Sequence, residues 1–291
     1  MINKTLIVAG ATGYGVWPDN SLEGARECMV APVDGIEIDV QLTADGVVVA
    51  HHDYRLSRGS TRLNGEWLAE RSVPIKDMTF DELQRYDVGS WRPGSSHFER
   101  YPHRKQLDGV RVPALRDLFE VLNATGGPKR LFYIEIKTDP QDPADSSSAE
   151  AITSAVMDEI DSADYAAHTK IIAFDWKVLR LARARLPTIA TAHLTVPPQL
   201  QHQVKHLADG SSPWTDGCDP RDHGGSVFAA IKAHGGEEWS PYHSEVDETT
   251  IAAAREAGLK VGPWGLSASA DIKRMVELGV FSATVAGPAW A

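Results

Sequence analysis

The clearest alternation of apolar and polar positions runs through Gly35-Ile36-Glu37-Ile38-Asp39-Val40-Gln41. Successive side chains of a strand point to opposite faces, so Ile36, Ile38 and Val40 share one face, and Glu37 and Asp39 share the other. Asp45-Gly46 is a tight-turn signal. Beyond it, Val47-Val48-Val49 reads as a returning strand that carries His51 or His52 toward Asp39. A second alternating run, Leu131-Phe132-Tyr133-Ile134-Glu135-Ile136-Lys137, sets Glu135 and Lys137 on one face and Ile134 and Ile136 on the other.

Elsewhere the pattern switches between short apolar runs and the wider spacing of amphipathic helices. Residues 5–9 read as a buried strand, followed by the loop Gly10-Ala11-Thr12-Gly13-Tyr14-Gly15. Those glycines are not a dinucleotide fingerprint, because the next helix, over 22–29 and capped by Asn20 or Ser21, opens well after them. A helix is expected over 113–122, with Leu115, Leu118, Phe119 and Leu122 on one face. Strands are then expected at 130–137, 170–174, 188–194, in a short run ended by Trp239, at 259–264 and at 280–285. Helices are expected between them at 149–160, 176–185, 225–233, 247–257 and 270–278, with Gly258 and Gly279 as left-handed caps of the last two. About eight strand–helix units is the number that closes a TIM barrel, an α/β fold; a doubly wound open sheet is the alternative. The stretch 54–110 is charged and rich in Arg, Gly and aromatics, with a helix start at Thr79-Phe80-Asp81-Glu82-Leu83. It reads as a small subdomain inserted after the second strand.

Composition narrows the class without changing the fold. A chain of 291 residues can be one barrel domain, 1–291, and 42% hydrophobic with 24% charged residues is ordinary for a globular protein. The formal charge of -11 argues against binding to a nucleic-acid backbone. Two cysteines, Cys28 and Cys218, give neither a disulfide framework nor a zinc spacing. No apolar run approaches the roughly 20 residues that span a bilayer, and residues 1–9 lack the pattern of a secretory signal, so a cytoplasmic protein is expected.

Glu37 and Asp39 on one face repel each other and are costly to bury, which a cation between them or a proton on one of them would relieve, a divalent metal being the simplest answer. At the C-terminal ends of barrel strands, where such active sites lie, Glu135 adds a third carboxylate. Three carboxylates suit a hard divalent cation, Mg²⁺ or Ca²⁺, and Lys137 beside it suits a substrate phosphate. The other reading of Glu135 and Lys137 is an internal salt bridge. Alternation turns His51 away from the carboxylates that His52 would approach, and His193 and His243 are further candidates near strand ends.

At this point the residues match a known family. Gly35-Ile-Glu-Ile-Asp-Val-Gln-Leu-Thr-Ala-Asp-Gly, the following Val-Val and His52-Asp53, Tyr133-Ile-Glu-Ile-Lys137, Trp239-Ser-Pro241-Tyr242 and Ala257-Gly-Leu-Lys-Val with Trp264 resemble the glycerophosphodiester phosphodiesterases. The resemblance runs from about Val8 to Pro288. It implies a TIM barrel with the inserted subdomain, a divalent metal on Glu37, Asp39 and Glu135, and phosphate contact from Lys137. It also implies His52 as an acid–base histidine and Trp264 near the alcohol moiety; Tyr242 and His193, close to strand ends, are expected as further substrate contacts. One motif departs: the family's His-Arg-Gly at the end of strand one reads Val8-Ala9-Gly10 here, and Pro18-Asp19-Asn20-Ser21 and Ala286-Gly287-Pro288 replace two further family patterns. The expected activity is metal-dependent cleavage of a small glycerol- or sugar-containing phosphodiester. A phosphodiester-binding protein without turnover and a phosphodiester transferase or synthase are the alternatives. The expected partner is that small molecule, with a homo-oligomer left open.

Overall fold

A computed structural model describes residues 4–124, 128–197, 200 and 211–287. Eight parallel strands form the barrel: β1 (Leu6–Ala9), β2 (Gly35–Leu42), then, after the insertion, β7 (Leu131–Ile136), β8 (Thr169–Ala173), β9 (Ala190–Thr195), β10 (Glu238–Pro241), β11 (Lys260–Val261) and β12 (Ser282–Val285). They neighbour one another in chain order, and β12 pairs with β1, with Leu6 opposite Ser282 and Ala9 opposite Val285. The seam between β11 and β12 is closed by single hydrogen bonds, from Phe281 N–H to Val261 O at 2.8 Å and from Thr284 N–H to Pro263 O at 2.9 Å. This is the closed barrel rather than the open sheet.

Helices α1 (Leu22–Val30), α4 (Leu115–Ala124), α5 (Ala149–Ser162), α6 (Trp176–Arg185), α7 (Val227–Ala233), α8 (Glu248–Glu256) and α9 (Ser269–Glu277) surround the barrel. The main core lies between them and the outer faces of the strands, where Ile36, Ile38 and Val40 meet Phe119, Leu122 and Phe132. Inside the barrel, Val8, Tyr133, Ile172, Ala192 and Leu194 form a separate apolar layer. Below it Lys170 Nζ donates to both carboxylate oxygens of Glu238, at 2.8 and 2.6 Å, and to Tyr133 Oη at 2.9 Å.

Two strand boundaries differ from the periodicity. β10 does not end at Trp239; Trp239, Ser240 and Pro241 pair with His193, Leu194 and Thr195. The run is too short for its apolar content to mark its end. The strand expected over 259–264 has regular pairing only at Lys260–Val261, since Pro263 has no N–H for a ladder; Gly262 and Trp264 still donate to Trp239 O and Pro241 O. Pro288 lies outside the described residues.

After β2 the chain turns at Gly46 (φ 81°), in the left-handed region that glycine tolerates, and returns as β3 (Val48–Ala50), antiparallel to β2. The excursion that follows contains β4 (Arg62–Leu63), β5 (Glu66–Trp67), α2 (Phe80–Leu83), β6 (Tyr86–Asp87) and α3 (Ser96–Arg100). Its three strands form an antiparallel sheet in the order β5-β4-β6, and Leu56, Ile75, Met78 and Leu83 build a small core with Val49 and Val112. Thr79 and Glu82 cap α2 reciprocally, as their spacing leads one to expect.

Arg104 fastens this segment to the β1–α1 loop. Its side chain is fully buried, stacks 3.9 Å from the Trp91 ring and donates to Asp19 Oδ1 at 2.7 Å. Arg104→Ala removes a charge-assisted bond and its packing together, and is expected to lower stability by about 2 kcal/mol in urea unfolding. A midpoint equal to that of the parent chain would show that the segment is held by its apolar contacts alone.

Candidate active site

Alternation along β2 turns Glu37 and Asp39 into the barrel, and the parallel register sets Asp39 directly opposite Glu135 on β7. Oxygens of Glu37, Asp39 and Glu135, all buried, lie within 4.8 Å of one another. Lys137 stands over them, with Nζ 2.9 Å from Asp39 Oδ1 and 2.5 Å from Glu135 Oε1. The salt bridge read from Glu135 and Lys137 is therefore present, and it belongs to the carboxylate cluster rather than replacing it.

The loop after β1 completes the cradle. Ala11, with a left-handed backbone (φ 41°), donates its N–H to Glu37 Oε2 at 2.8 Å. Ser21 caps α1, whereas Asn20 (φ 51°) clamps β2: its Nδ2 donates to Asp39 Oδ2 and its Oδ1 accepts from Asp39 N–H, both at 2.9 Å. Sequence reasoning gave Asn20 only a capping role. The pairing depends on a left-handed turn that no local pattern announces.

Electrostatics separate the carboxylates. Burial, then the Asp39 and Glu135 charges, push Glu37 well above the usual carboxylate range against the Ala11 N–H and Lys137. Burial and Asp39 also raise Glu135, opposed by Lys137. Asp39 stays low despite burial because Lys137, His52 and Asn20 favour its charge. Burial works against the Lys137 charge, and Asp39 and Glu135 outweigh it. Three buried oxygen donors so arranged fit a divalent cation, which would offset the burial and the carboxylate repulsion that raise Glu37.

His52 is half exposed, and its Nδ1 lies 2.8 Å from Asp53 Oδ1. Lys137 acts most strongly against its protonation, but Asp39 and Asp53 prevail and hold the ring above the ordinary histidine value. His51, expected to face away, borders the same cavity. β3 ends at Ala50, so strand alternation does not extend to it, and its Nδ1 bonds Asp53 O at 2.9 Å instead.

Glu37, Asp39, Glu135, Lys137, Tyr242 and Trp264 all line one cavity of about 610 Å³. Trp264 packs edge-on against Phe174 (5.6 Å) and Tyr242 (5.0 Å), and its Nε1 donates to Thr195 O at 3.3 Å. Gly265 allows this: it adopts φ 79°, and a Cβ there would sit 2.4 Å from the Tyr242 ring. Two candidate histidines are not brought to the cavity. His193 lies on the outer face of β9, between Ala192 and Leu194 of the barrel interior, and its ring stands edge-on to Trp176 at 4.9 Å while Nε2 meets His234 Nδ1 at 2.9 Å. His243 packs its ring 4.6 Å from that of Tyr242, behind the cavity wall. Val8 belongs to the interior apolar layer and Ala9 to the outer core, so neither adds a polar group. The insertion, in contrast, contributes Trp91, His97 and Arg100, and the β1–α1 loop contributes Tyr14. Only the tertiary structure brings these four to the site.

A family model described as the glycerophosphoryl diester phosphodiesterase family matches residues 10–285. A glycerophosphodiester phosphodiesterase of Caldanaerobacter subterraneus is 25% identical over 277 residues, covering 95% of this chain and 92% of that protein. A Silicibacter pomeroyi crystal structure, provisionally named a glycerophosphoryl diester phosphodiesterase, superposes with a TM-score of 0.85 at 27% identity, over 99% of this chain and 92% of that one. An Oleispira antarctica phosphodiesterase, solved with its product sn-glycerol-3-phosphate, shares the fold at a TM-score of 0.68 and 18% identity, over 98% and 94% of the two chains.

Proposed function

Since the chain belongs to the glycerophosphoryl diester phosphodiesterase family, we propose that it is a metal-dependent hydrolase of a small glycerol- or sugar-containing phosphodiester. The observation that carries this reading is the convergence of three carboxylates, Lys137 and His52 on one cavity. Glu37, Asp39 and Glu135 would hold the cation, Mg²⁺ or Ca²⁺, which when bound supplies positive charge to the phosphoryl oxygens.

The remaining steps fall to side chains of this protein. Lys137 donates to a phosphoryl oxygen. Asp53 fixes the His52 ring through Nδ1, which leaves Nε2 free to meet the substrate. With its raised proton affinity, His52 gives a proton to the departing alkoxide as the P–O bond to it breaks. The attacking oxygen forms the new P–O bond and releases its proton to water at the cavity mouth; it comes from water, or from the hydroxyl next to the ester, which would leave a cyclic phosphate. Trp264 and Tyr242 face the alcohol. With Val8 and Ala9 at the end of β1, that strand supplies no second histidine, and the missing base would slow turnover by about 10²- to 10⁴-fold relative to a site with both groups.

That same feature supports the alternative of a phosphodiester-binding protein, which predicts metal-dependent binding with no product. A transferase would instead pass the phosphoryl group to a second alcohol. The test is turnover of glycerophosphocholine and sugar phosphodiesters with Mg²⁺, Ca²⁺ or Mn²⁺. Hydrolysis abolished by EDTA and restored by the metal is the expected result. Binding without product, or product only with an acceptor alcohol, overturns it.

A further inference from the structure

The carboxylate cluster holds more negative charge than its one lysine can balance. Three carboxylates face one lysine, and Lys137 is already engaged by Asp39 and Glu135. With a divalent ion and a phosphodiester anion, the three carboxylates and Lys137 still sum to one negative charge, and a protonated His52 is already matched by Asp53. Another cation is needed within reach, and β1 offers none.

Arg100 meets the requirement. It ends α3 of the insertion, is exposed and lines the cavity. The position is fixed by its neighbour: Tyr101 is buried, stands edge-on to Tyr14 at 5.4 Å and packs on Trp91 at 5.8 Å. The Arg100 guanidinium lies 5.5 Å from the centre of that Tyr101 ring. Among the described residues Arg100 has no carboxylate partner, whereas Arg104 in the same segment is paired with Asp19 and Arg55 with Asp145. A guanidinium that rests on an aromatic ring and has no carboxylate partner still presents a planar fork suited to phosphate oxygens.

We propose that Arg100 is an anion-binding residue of this site, delivered from the inserted segment, which contacts a non-bridging oxygen of the substrate phosphate and compensates for a first strand that carries no cation. The inference rests on the phosphodiester reading of the cavity but not on turnover. It makes the insertion a part of the site rather than a cover for it.

Calorimetry on the full chain with Mg²⁺ tests this, using inorganic phosphate and sn-glycerol 3-phosphate as probes. Arg100→Ala is expected to weaken both at least tenfold, Arg100→Lys to recover part of the loss, and Arg92→Ala, an exposed neighbour away from the cavity, to bind as the parent does. Arg100→Gln guards against a folding defect, and circular dichroism checks each variant. Unchanged affinity in Arg100→Ala overturns the proposal, as does a parent chain that binds neither probe. Turnover of glycerophosphocholine separates the two questions. Turnover in the parent with unchanged KM in Arg100→Ala overturns the arginine's role alone, and Arg100-dependent binding without turnover overturns hydrolysis alone.

Discussion

Glu37→Gln is expected to abolish metal-dependent turnover, by roughly 10³-fold or more, equivalent to about 4 kcal/mol of transition-state stabilisation. The amide keeps an oxygen to accept the Ala11 N–H and nearly the same volume, so the loss reports charge rather than shape. In EDTA the same substitution acts in the opposite direction on stability. The Glu37 carboxyl is raised above its unfolded value by burial and by its neighbours Asp39 and Glu135. Below the ordinary carboxylate range both states are protonated and nothing is lost; as pH rises through and above that range, the unfolded chain ionises freely while the folded one resists. In the metal-free protein Glu37 should therefore contribute a loss of stability as pH rises from acid toward neutral, and Glu37→Gln should remove that contribution. Metal binding to the parent should release a proton. Thermal melts at pH 4 and 7.5, with EDTA and with Mg²⁺, read all of this. Equal melting shifts at both pH values would show that Glu37 is ionised without penalty in the metal-free fold.

The second large effect lies below the site. Glu238→Ala leaves the Lys170 ammonium buried with Tyr133 Oη as its remaining partner and the Tyr133 ring 4.2 Å away. Burial acts against the Lys170 charge, and Glu238 and Tyr133 restore it. Removing one member of such a pair costs about 3–5 kcal/mol, because the other charge remains without water or counter-charge. For a chain of this size that is a fall in melting temperature of roughly 10 °C. Replacing both residues, Lys170→Met with Glu238→Leu, should recover most of it, since the uncompensated charge goes with the pair. A single-variant loss below about 1 kcal/mol would mean that water enters the barrel floor and solvates the lysine.

The barrel and the centre of its site were legible in the sequence because both are written in short-range periods. Alternation over a few residues decides that Glu37 and Asp39 share a face, and that Glu135 and Lys137 do too. Asp45-Gly46 fixes the hairpin, Thr79 and Glu82 fix a cap, and Gly258 and Gly279, at φ 71° and 69°, end the last two helices. That the two carboxylate strands are neighbours followed from counting strand–helix units around a closed barrel, whereas the register that sets Asp39 opposite Glu135 came from the structure.

Rules of that kind stop where a strand stops. His51 lies just past Ala50 and turns to the cavity, and His193 lies within β9 and turns outward, so in neither case did nearness to a strand end give the side chain's direction. Asn20 was a cap by its neighbours and a clamp on Asp39 by its left-handed backbone. Tyr14, Trp91, His97 and Arg100 reach the cavity from segments whose own patterns say nothing of a site; their placement depends on burial of Arg104 and Tyr101 against the β1–α1 loop. By itself, then, the sequence determined the strands, the carboxylate cluster and its lysine, since these follow from backbone geometry over a few residues. The tertiary structure alone decided which loops close over that cluster and which charges they bring, because contacts between distant segments are set by packing and register.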